Sequence, residues 1–259
     1  MLYKNKIAVI SGSTSGLGTA VALKLAKEGA QGLLITGRNA ERGEKVVAEL
    51  QAIGCQAVFV QADLADPDAG KKIFSVIDAQ FDGRLHGLVN SAAYTARGSL
   101  EHTTVEEWDK HFAVNVRAPF LLMQEAIRRM QKHHISGSIV NIASVSAHVG
   151  QEILTPYSAS KGALVTLSKN VAHSQSKHRI RCNVLLPGWM DTPAEHEIQR
   201  TYHEAPDDWL ERAEATKPFG QLIKADELAE LVAFLLSDKS GIMTGAAIDY
   251  DQIVLGTYD

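Results

Sequence analysis

Cysteine is scarce in this chain: Cys55 and Cys182 are the only two in 259 residues. Two cysteines do not make a disulfide framework, and they read as free thiols of a protein held in a reducing cytoplasm. Long apolar runs are missing as well. None approaches the roughly 18 residues that a membrane-spanning helix needs. The amino terminus passes from MLYKNK into a strand-like run, IAVISGS, without the apolar core and cleavage site of a signal peptide. Basic residues do not cluster. The formal net charge of -4, with no run of Lys or Arg, argues against a nucleic-acid surface. The ten histidines form no ligand-like group, so no metal is expected, and His133, His134 and His148 read as surface or pocket residues. No repeat, low-complexity stretch or linker divides the chain, so residues 1–259 are read as one domain.

What is present is an alternation of strand-like and helix-like segments. A β-branched run from Lys6 to Ser11 leads into SGSTSGLG (Ser11 to Gly18) and then TAVALKLAKEGA, with Ala20, Leu23, Ala26 and Lys27 at helical spacing and Gly29 at the end. Gly12, Gly16 and Gly18 allow a tight turn in which the backbone approaches a pyrophosphate. The helix that follows offers free N–H groups and the positive end of its dipole. A second strand, GLLITGRN, precedes the helix AERGEKVVAELQAIG. Nicotinamide-binding folds read the adenosine ribose at the end of this strand, commonly with an acid that holds the 2′-hydroxyl. Gly37 occupies that position here and Arg38 follows, a side chain suited to a 2′-phosphate. NADP(H) is therefore expected over NAD(H), which remains possible.

Strand three, QAVFVQADL, closes at Asp63 and Leu64, where an aspartate either caps the helix starting at ADPDAG or accepts a hydrogen bond from an adenine amino group. Strand four, LHGLVNSAA, reaches Asn90 and then small residues. A long helical region from about Thr104 to His133 carries Asn115 in its middle and Pro119 soon after, which predicts a local irregularity. Strand five, GSIVNIAS, runs to Ser144. A helix is expected from Pro156 to about Lys177, then strand six, RIRCNVLLPG. A polar and aromatic insertion at about 189–219 precedes the last helix, ADELAELVAFLLSD, and a final strand, AAIDYD. The order predicts an α/β fold with a doubly wound parallel sheet of seven strands and helices on both faces.

One segment concentrates chemistry. Ser144 is followed thirteen residues later by Tyr157, and Lys161 lies four beyond that. On a helix, Tyr157 and Lys161 share a face. An ammonium there favours the phenolate, and a tyrosine so placed can exchange a proton near neutrality. The pair arises often by chance, so its weight comes from the rest of the chain.

Taken together, these residues resemble the short-chain dehydrogenases/reductases, in their single-domain branch, over nearly the whole chain from Lys6 to about Asp251. The Gly-loop, Gly12-Ser13-Thr14-Ser15-Gly16-Leu17-Gly18, fits the family's GxxxGxG. Asn90-Ser91-Ala92-Ala93 fits its NNAG with two departures. Ser144, Tyr157 and Lys161 fit its serine and YxxxK, and Asn115 its helix asparagine. The resemblance implies a Rossmann-type fold and a catalytic set of Asn115, Ser144, Tyr157 and Lys161. It implies a cofactor site of Gly12, Thr14, Ser15, Gly16, Leu17, Gly18, Arg38, Asp63, Leu64, Asn90, Ala92, Tyr157, Lys161, Pro187, Gly188 and Thr192, with Thr192 on the nicotinamide carboxamide. It also implies a homodimer or homotetramer built on the long helices.

The reaction expected is interconversion of a secondary alcohol and a ketone. Tyr157 moves the hydroxyl proton, Ser144 places the oxygen, Lys161 lowers the phenol pKa and holds the ribose, and Asn115 holds a water. The spacing of four between Tyr157 and Lys161 argues against an enoyl-type reductase, which usually shows a longer one. A rival of another class is a catalytically silent nucleotide-binding or scaffold protein, which should have broken the set. Substrate contacts are expected from Ser144, Ser146, His148, Gln151, Tyr157 and Trp189, with Tyr94, Arg97, Met190 and the insertion to about Phe219 nearby. This mixture favours a sugar, polyol or small hydroxy acid over a hydrophobic ketone or a 3-oxoacyl group. The segment AAIDYDQ replaces the family's frequent VDGG and changes the substrate end or a subunit contact.

Overall fold

The construction of the sheet is visible in its first strand. All five residues of β1 (Ile7–Ser11) are buried. Ala8 and Ile10 join one apolar cluster, and Ile7 and Val9 join another. Side chains alternate across a strand, so an unbroken apolar run has both faces covered, as in a parallel sheet between helices. The computed structural model describes residues 1–256.

From β1 the chain passes through α1 (Gly16–Lys27), β2 (Gly32–Gly37), α2 (Ala40–Ala52), β3 (Gln56–Gln61), α3 (Ala69–Phe81) and β4 (Gly87–Asn90). It continues through α4 (Val105–Phe112), α5 (Ala118–Lys132), β5 (Ser138–Ile142), α6 (Thr155–Gln175) and β6 (Arg181–Pro187). The insertion contributes β7 (Met190–Asp191), α7 (Pro193–Thr201) and α8 (Trp209–Ala215), followed by β8 (Ile223–Lys224), α9 (Ala225–Leu236) and β9 (Ala247–Tyr250).

Among the described residues seven strands form one parallel sheet in the order β3-β2-β1-β4-β5-β6-β9. The winding reverses between β1 and β4, which opens a crevice at the C-terminal ends of those strands. Helices α1, α2 and α9 cover one face through Val21, Leu25, Leu50 and Val232. Helices α3, α5 and α6 cover the other through Phe74, Ile77, Leu122 and Leu167. No described helix is long and apolar enough to cross a membrane.

Three local features matter for the site. The helical region expected over 104–133 is divided by a π-turn, Ala113–Arg117, with Asn115 at its centre. The extra residue lets the Asn115 amide bond outside the helix, at the place where an irregularity was expected. Strand β5 stops at Ile142, so Ser144 lies in the following turn with extended backbone, and its hydroxyl accepts from the Ser146 N–H at 3.2 Å. Asp63 does not cap a helix. Its carboxylate accepts from the Ala65 N–H at 2.9 Å, and α3 begins later, at Ala69.

Asn90 is 2% exposed and donates to Asn141 Oδ1 at 2.7 Å, while Asn141 Nδ2 donates to Ser168 Oγ at 2.8 Å. This buried bracket joins β4, β5 and α6 beneath the crevice. Replacing Asn141 by alanine strands the Asn90 amide hydrogens in the core, and each unpaired buried polar group costs about 1–3 kcal/mol. Urea denaturation of Asn141→Ala is expected to show a loss of about 3 kcal/mol, on the scale of one to two such groups.

Candidate active site

A cavity of about 1330 Å³ follows the C-terminal edge of the sheet from the first glycine turn to the insertion. At one end the turn after β1 makes close backbone contact with the turn after β4. Gly12 has φ of +66°, and a Cβ there would lie 2.6 Å from the Ala92 Cα. Ser15 caps α1 by position but makes no capping hydrogen bond, so its side chain does not occupy the free N–H groups of the first helical turn. Such a terminus suits a pyrophosphate. Thr14, Gly16, Leu17 and Gly18 line the same stretch.

Further along lie Asp63, Leu64, Arg38 and Arg42. Gly37 cannot take a side chain without a shift, because an added Cβ would meet Thr14 Cγ2 at 2.6 Å. The acid that reads a free ribose hydroxyl is absent, and one placed here would have to displace the Thr14 side chain. Arg42 is a residue that the sequence reading missed. Asn39 caps α2 by accepting from the Arg42 N–H at 2.8 Å, and this places Arg42 in the first turn, on the cavity beside Arg38. The R-x-x-x-R spacing across a helix start was the available signal. Among the described residues neither guanidinium enters an ion pair.

The catalytic candidates meet at the middle of the cavity. Helix α6 presents Tyr157 and Lys161 to the turn that carries Ser144. The Lys161 ammonium donates to the Ile142 carbonyl at 2.8 Å and lies 5.5 Å from the centre of the Tyr157 ring. Burial lowers the Lys161 pKa to about 7. Burial also pushes the Tyr157 phenol up to about 12; Ser144 and the Arg97 charge act the other way, and Glu195 adds to the rise. The expectation that Lys161 draws the phenol toward neutrality is thus not met in the protein without cofactor. The reason is physical: an ammonium desolvated to pKa about 7 is only partly charged at neutral pH, and the charge acting on the phenol comes from Arg97.

Asn115 does not line the cavity. Its Oδ1 accepts from the Tyr94 N–H at 2.7 Å, and its Nδ2 donates to the Tyr94 carbonyl and to Ser160 Oγ, both at 3.0 Å. Both amide hydrogens are spent, so a water there could only donate to this side chain. One turn earlier, His111 Nε2 lies 3.1 Å from the Ala96 carbonyl, and its ring stands edge-on to Tyr94. The π-turn and the end of α4 therefore hold the loop after β4 at Tyr94 and Ala96.

Two other candidates lie elsewhere. Asn90 belongs to the buried bracket under the sheet edge and does not face the cavity. His148 is exposed and pairs with Asp249 of β9 at 3.0 Å, outside the cavity lining. Ala92, Ser146, Gln151, Pro187, Gly188, Trp189 and Thr192 do line it. Thr192 caps α7, accepting from the Glu195 N–H at 3.2 Å. Glu195 is a second residue that the sequence did not signal; it accepts from Trp189 Nε1 at 2.9 Å and from Gln199 Nε2 at 2.8 Å. The unusual C-terminal segment acts here too. The Gly188 N–H donates to the Tyr250 carbonyl at 3.0 Å, and Gln252 ties the insertion to the C-terminal segment through Phe219 N–H and the Gln221 carbonyl.

The sequence profile of the family described as "Enoyl-(Acyl carrier protein) reductase" matches residues 12–252. The NADP-dependent (R)-specific alcohol dehydrogenase of Lentilactobacillus kefiri is 34% identical, covering 96% of this chain and 96% of that one. The cis-4-hydroxycyclohexanecarboxylate dehydrogenase of Sinomonas cyclohexanicum is 31% identical, with 96% of each covered. A point variant of actinorhodin polyketide ketoreductase, solved with NADPH, superposes with a TM-score of 0.90 at 26% identity over 98% of each chain. The chain belongs to the short-chain dehydrogenase/reductase family and is a nicotinamide-dependent oxidoreductase.

Lys161 links this site to stability. An unfolded lysine keeps its proton up to about pH 10.5 and the folded one only to about 7, so between these values the folded chain binds fewer protons. Stability then rises with pH across that window, and the burial penalty is complete below it. Thermal melts of the cofactor-free protein from pH 7 to 10 are expected to show Lys161→Met most favoured relative to wild type at pH 7, with the difference shrinking toward pH 10.

Proposed function

We propose that the chain interconverts a secondary alcohol and a ketone with NADP(H), by way of Ser144, Tyr157 and Lys161. The observation that carries this reading is the meeting of these three side chains on one cavity that begins at a helix terminus suited to a pyrophosphate. The nicotinamide supplies the site of hydride gain or loss. Thr14 to Gly18, Ala92, Pro187, Gly188 and Thr192 would hold the cofactor, with Asp63 and Leu64 toward the adenine and Lys161 toward the ribose.

The remaining chemistry belongs to the chain. Ser144 hydrogen-bonds the substrate oxygen and favours the Tyr157 phenolate. Tyr157 gives a proton to the ketone oxygen in reduction and removes one from the alcohol in oxidation, a contribution of typically ~10²–10⁴-fold. A pKa near 12 suits the donor role, because the phenol stays protonated across the physiological range. Lys161, with its pKa near 7, takes up and releases protons behind it. Asn115 acts at one remove by fixing Tyr94 and Ser160 around the pair.

The NADP preference is supported by Arg38 and Arg42 together with the absence of an acid at Gly37. The substrate end is lined by Arg97, Ser146, Gln151 and Glu195, which favours a polar substrate: a sugar, a polyol or a small hydroxy acid. A homodimer or homotetramer is supported by Val105, Trp108 and Phe120, exposed apolar side chains along α4 and α5. The two buried free cysteines suit the cytoplasm.

Two measurements test this. Tyr157→Phe is expected to keep NADPH binding, followed by fluorescence, while turnover falls at least ~10²-fold; near-native turnover would remove Tyr157 from the mechanism. Arg38→Ala combined with Arg42→Ala is expected to raise the KM for NADPH by at least ~10-fold, about 1.4 kcal/mol, with little effect on NADH. Equal effects on the two cofactors would reverse the NADP assignment.

A further inference from the structure

We propose that Arg97 selects the substrate: its guanidinium receives a carboxylate carried by the alcohol or ketone, and Glu195 is the counterion it gives up when that carboxylate arrives. The inference rests on the alcohol–ketone reading of the same site and narrows it to hydroxy acids and keto acids.

Arg97 is placed beside the reacting groups by backbone. The Gly98 N–H donates to the Ile153 carbonyl at 2.8 Å, and the Thr155 N–H donates to the Gly98 carbonyl at 3.0 Å. This bridge fastens the loop after β4 to the segment that leads into Tyr157. Arg97 and Tyr157 line the same cavity, and the guanidinium charge is felt at the phenol.

The side chain is largely but not fully buried, and most of its donors make no bond within the protein. A guanidinium has five N–H groups in a planar fork that matches a carboxylate. Among the described residues Arg97 donates one hydrogen bond, from Nη1 to the Thr95 carbonyl at 3.1 Å. Its Nε is buried without a partner, although the side chain is only 12% exposed. A second orphan, Ser146 Oγ, belongs to the same cavity wall.

Glu195 does not fill the need. Its closest approach to Arg97 is 3.7 Å, beyond hydrogen-bond range, because Oε1 is held by Trp189 and Gln199. The pair balances charge without satisfying the fork. Leaving the Nε–H buried and unpaired is unfavourable unless a better acceptor completes the fork. A carboxylate supplies two oxygens and one negative charge. A phosphate dianion would bring a second charge against Glu195, so the monoanion is the better match.

The test compares each acid with its own methyl ester in the NADP-coupled reaction: 4-hydroxycyclohexanecarboxylate and 3-hydroxybutyrate against their esters. Wild type is expected to prefer the acids at least tenfold in kcat/KM. Loss of the Arg97 charge also raises the Tyr157 pKa and slows both members of a pair, so the acid-to-ester ratio carries the test. Arg97→Gln is expected to lower that ratio tenfold or more, through KM, with NADPH affinity by fluorescence unchanged. Glu195→Gln keeps the acceptor for Trp189 but removes the competing charge, and is expected to raise the ratio severalfold. Equal use of acids and esters by wild type, an equal loss on both in Arg97→Gln, or a lowered ratio in Glu195→Gln overturns the assignment of Arg97 while leaving the oxidoreductase reading in place. No turnover of acids, esters or a wider panel of neutral alcohols and ketones, with NADPH still bound, overturns both.

Discussion

Lys161 is 2% exposed, and the carbonyl of Ile142 holds its ammonium. Much of the site depends on that contact. It ties the second turn of α6 to the last residue of β5, and so fixes Tyr157 against the turn that bears Ser144. Desolvation then sets the electrostatics. The lysine is brought to the edge of its charged range, and the tyrosine is kept protonated. The two groups are poised by burial in opposite directions, and neither depends on the other's full charge. The sheet makes this possible, because parallel strands bring the end of β5, the end of β4 and the first glycine turn to the same edge.

The insertion is organised by a second charged contact. Lys224 donates to Asp191 at 2.8 Å and to Glu214 at 2.6 Å, while His196 reaches Asp191 at 2.7 Å. These bonds join β7, β8, α7 and α8 into a small unit at the rim. Asp191 and Glu214 are both held below the usual carboxylate range; bonds from Lys224 and His196 outweigh the cost of burial at Asp191. That unit carries Thr192 and Glu195 to the cavity. Its polar composition is thus a matter of assembly as much as of substrate recognition.

Much of this architecture was legible in the sequence. The parallel sheet followed from the regular alternation of strand-like and helix-like segments. The Gly-loop and the Tyr157–Lys161 spacing are local patterns, and local patterns survive in a sequence. What could not be read depends on contacts across the chain. Asn90 reads as a cofactor contact in the sequence, but its amide nitrogen donates to Asn141, itself held by Ser168. His148 looked like a pocket residue because Asp249 lies about a hundred residues away. The sign of the Tyr157 shift was hidden for the same reason: a helix turn shows that a lysine is near, while its charge depends on how deeply three-dimensional packing buries it.

The π-turn at Ala113–Arg117 has a consequence for how this chain can vary. Each residue of an α-helix advances the helix by about 100°, so the one extra residue sets the phase between α4 and α5. Removing it would restore a uniform helix and rotate every side chain of α4 by about 100° relative to α5. His111 would swing away from the Ala96 carbonyl, and Asn115 from Tyr94. The loop that carries Arg97 would lose its contacts with His111 and Asn115, and keep the Gly98 bridge and its ties to Ser11, without a single one of its own residues being altered. Substitutions along this helix act one contact at a time, whereas a change in its length acts on all of these contacts at once.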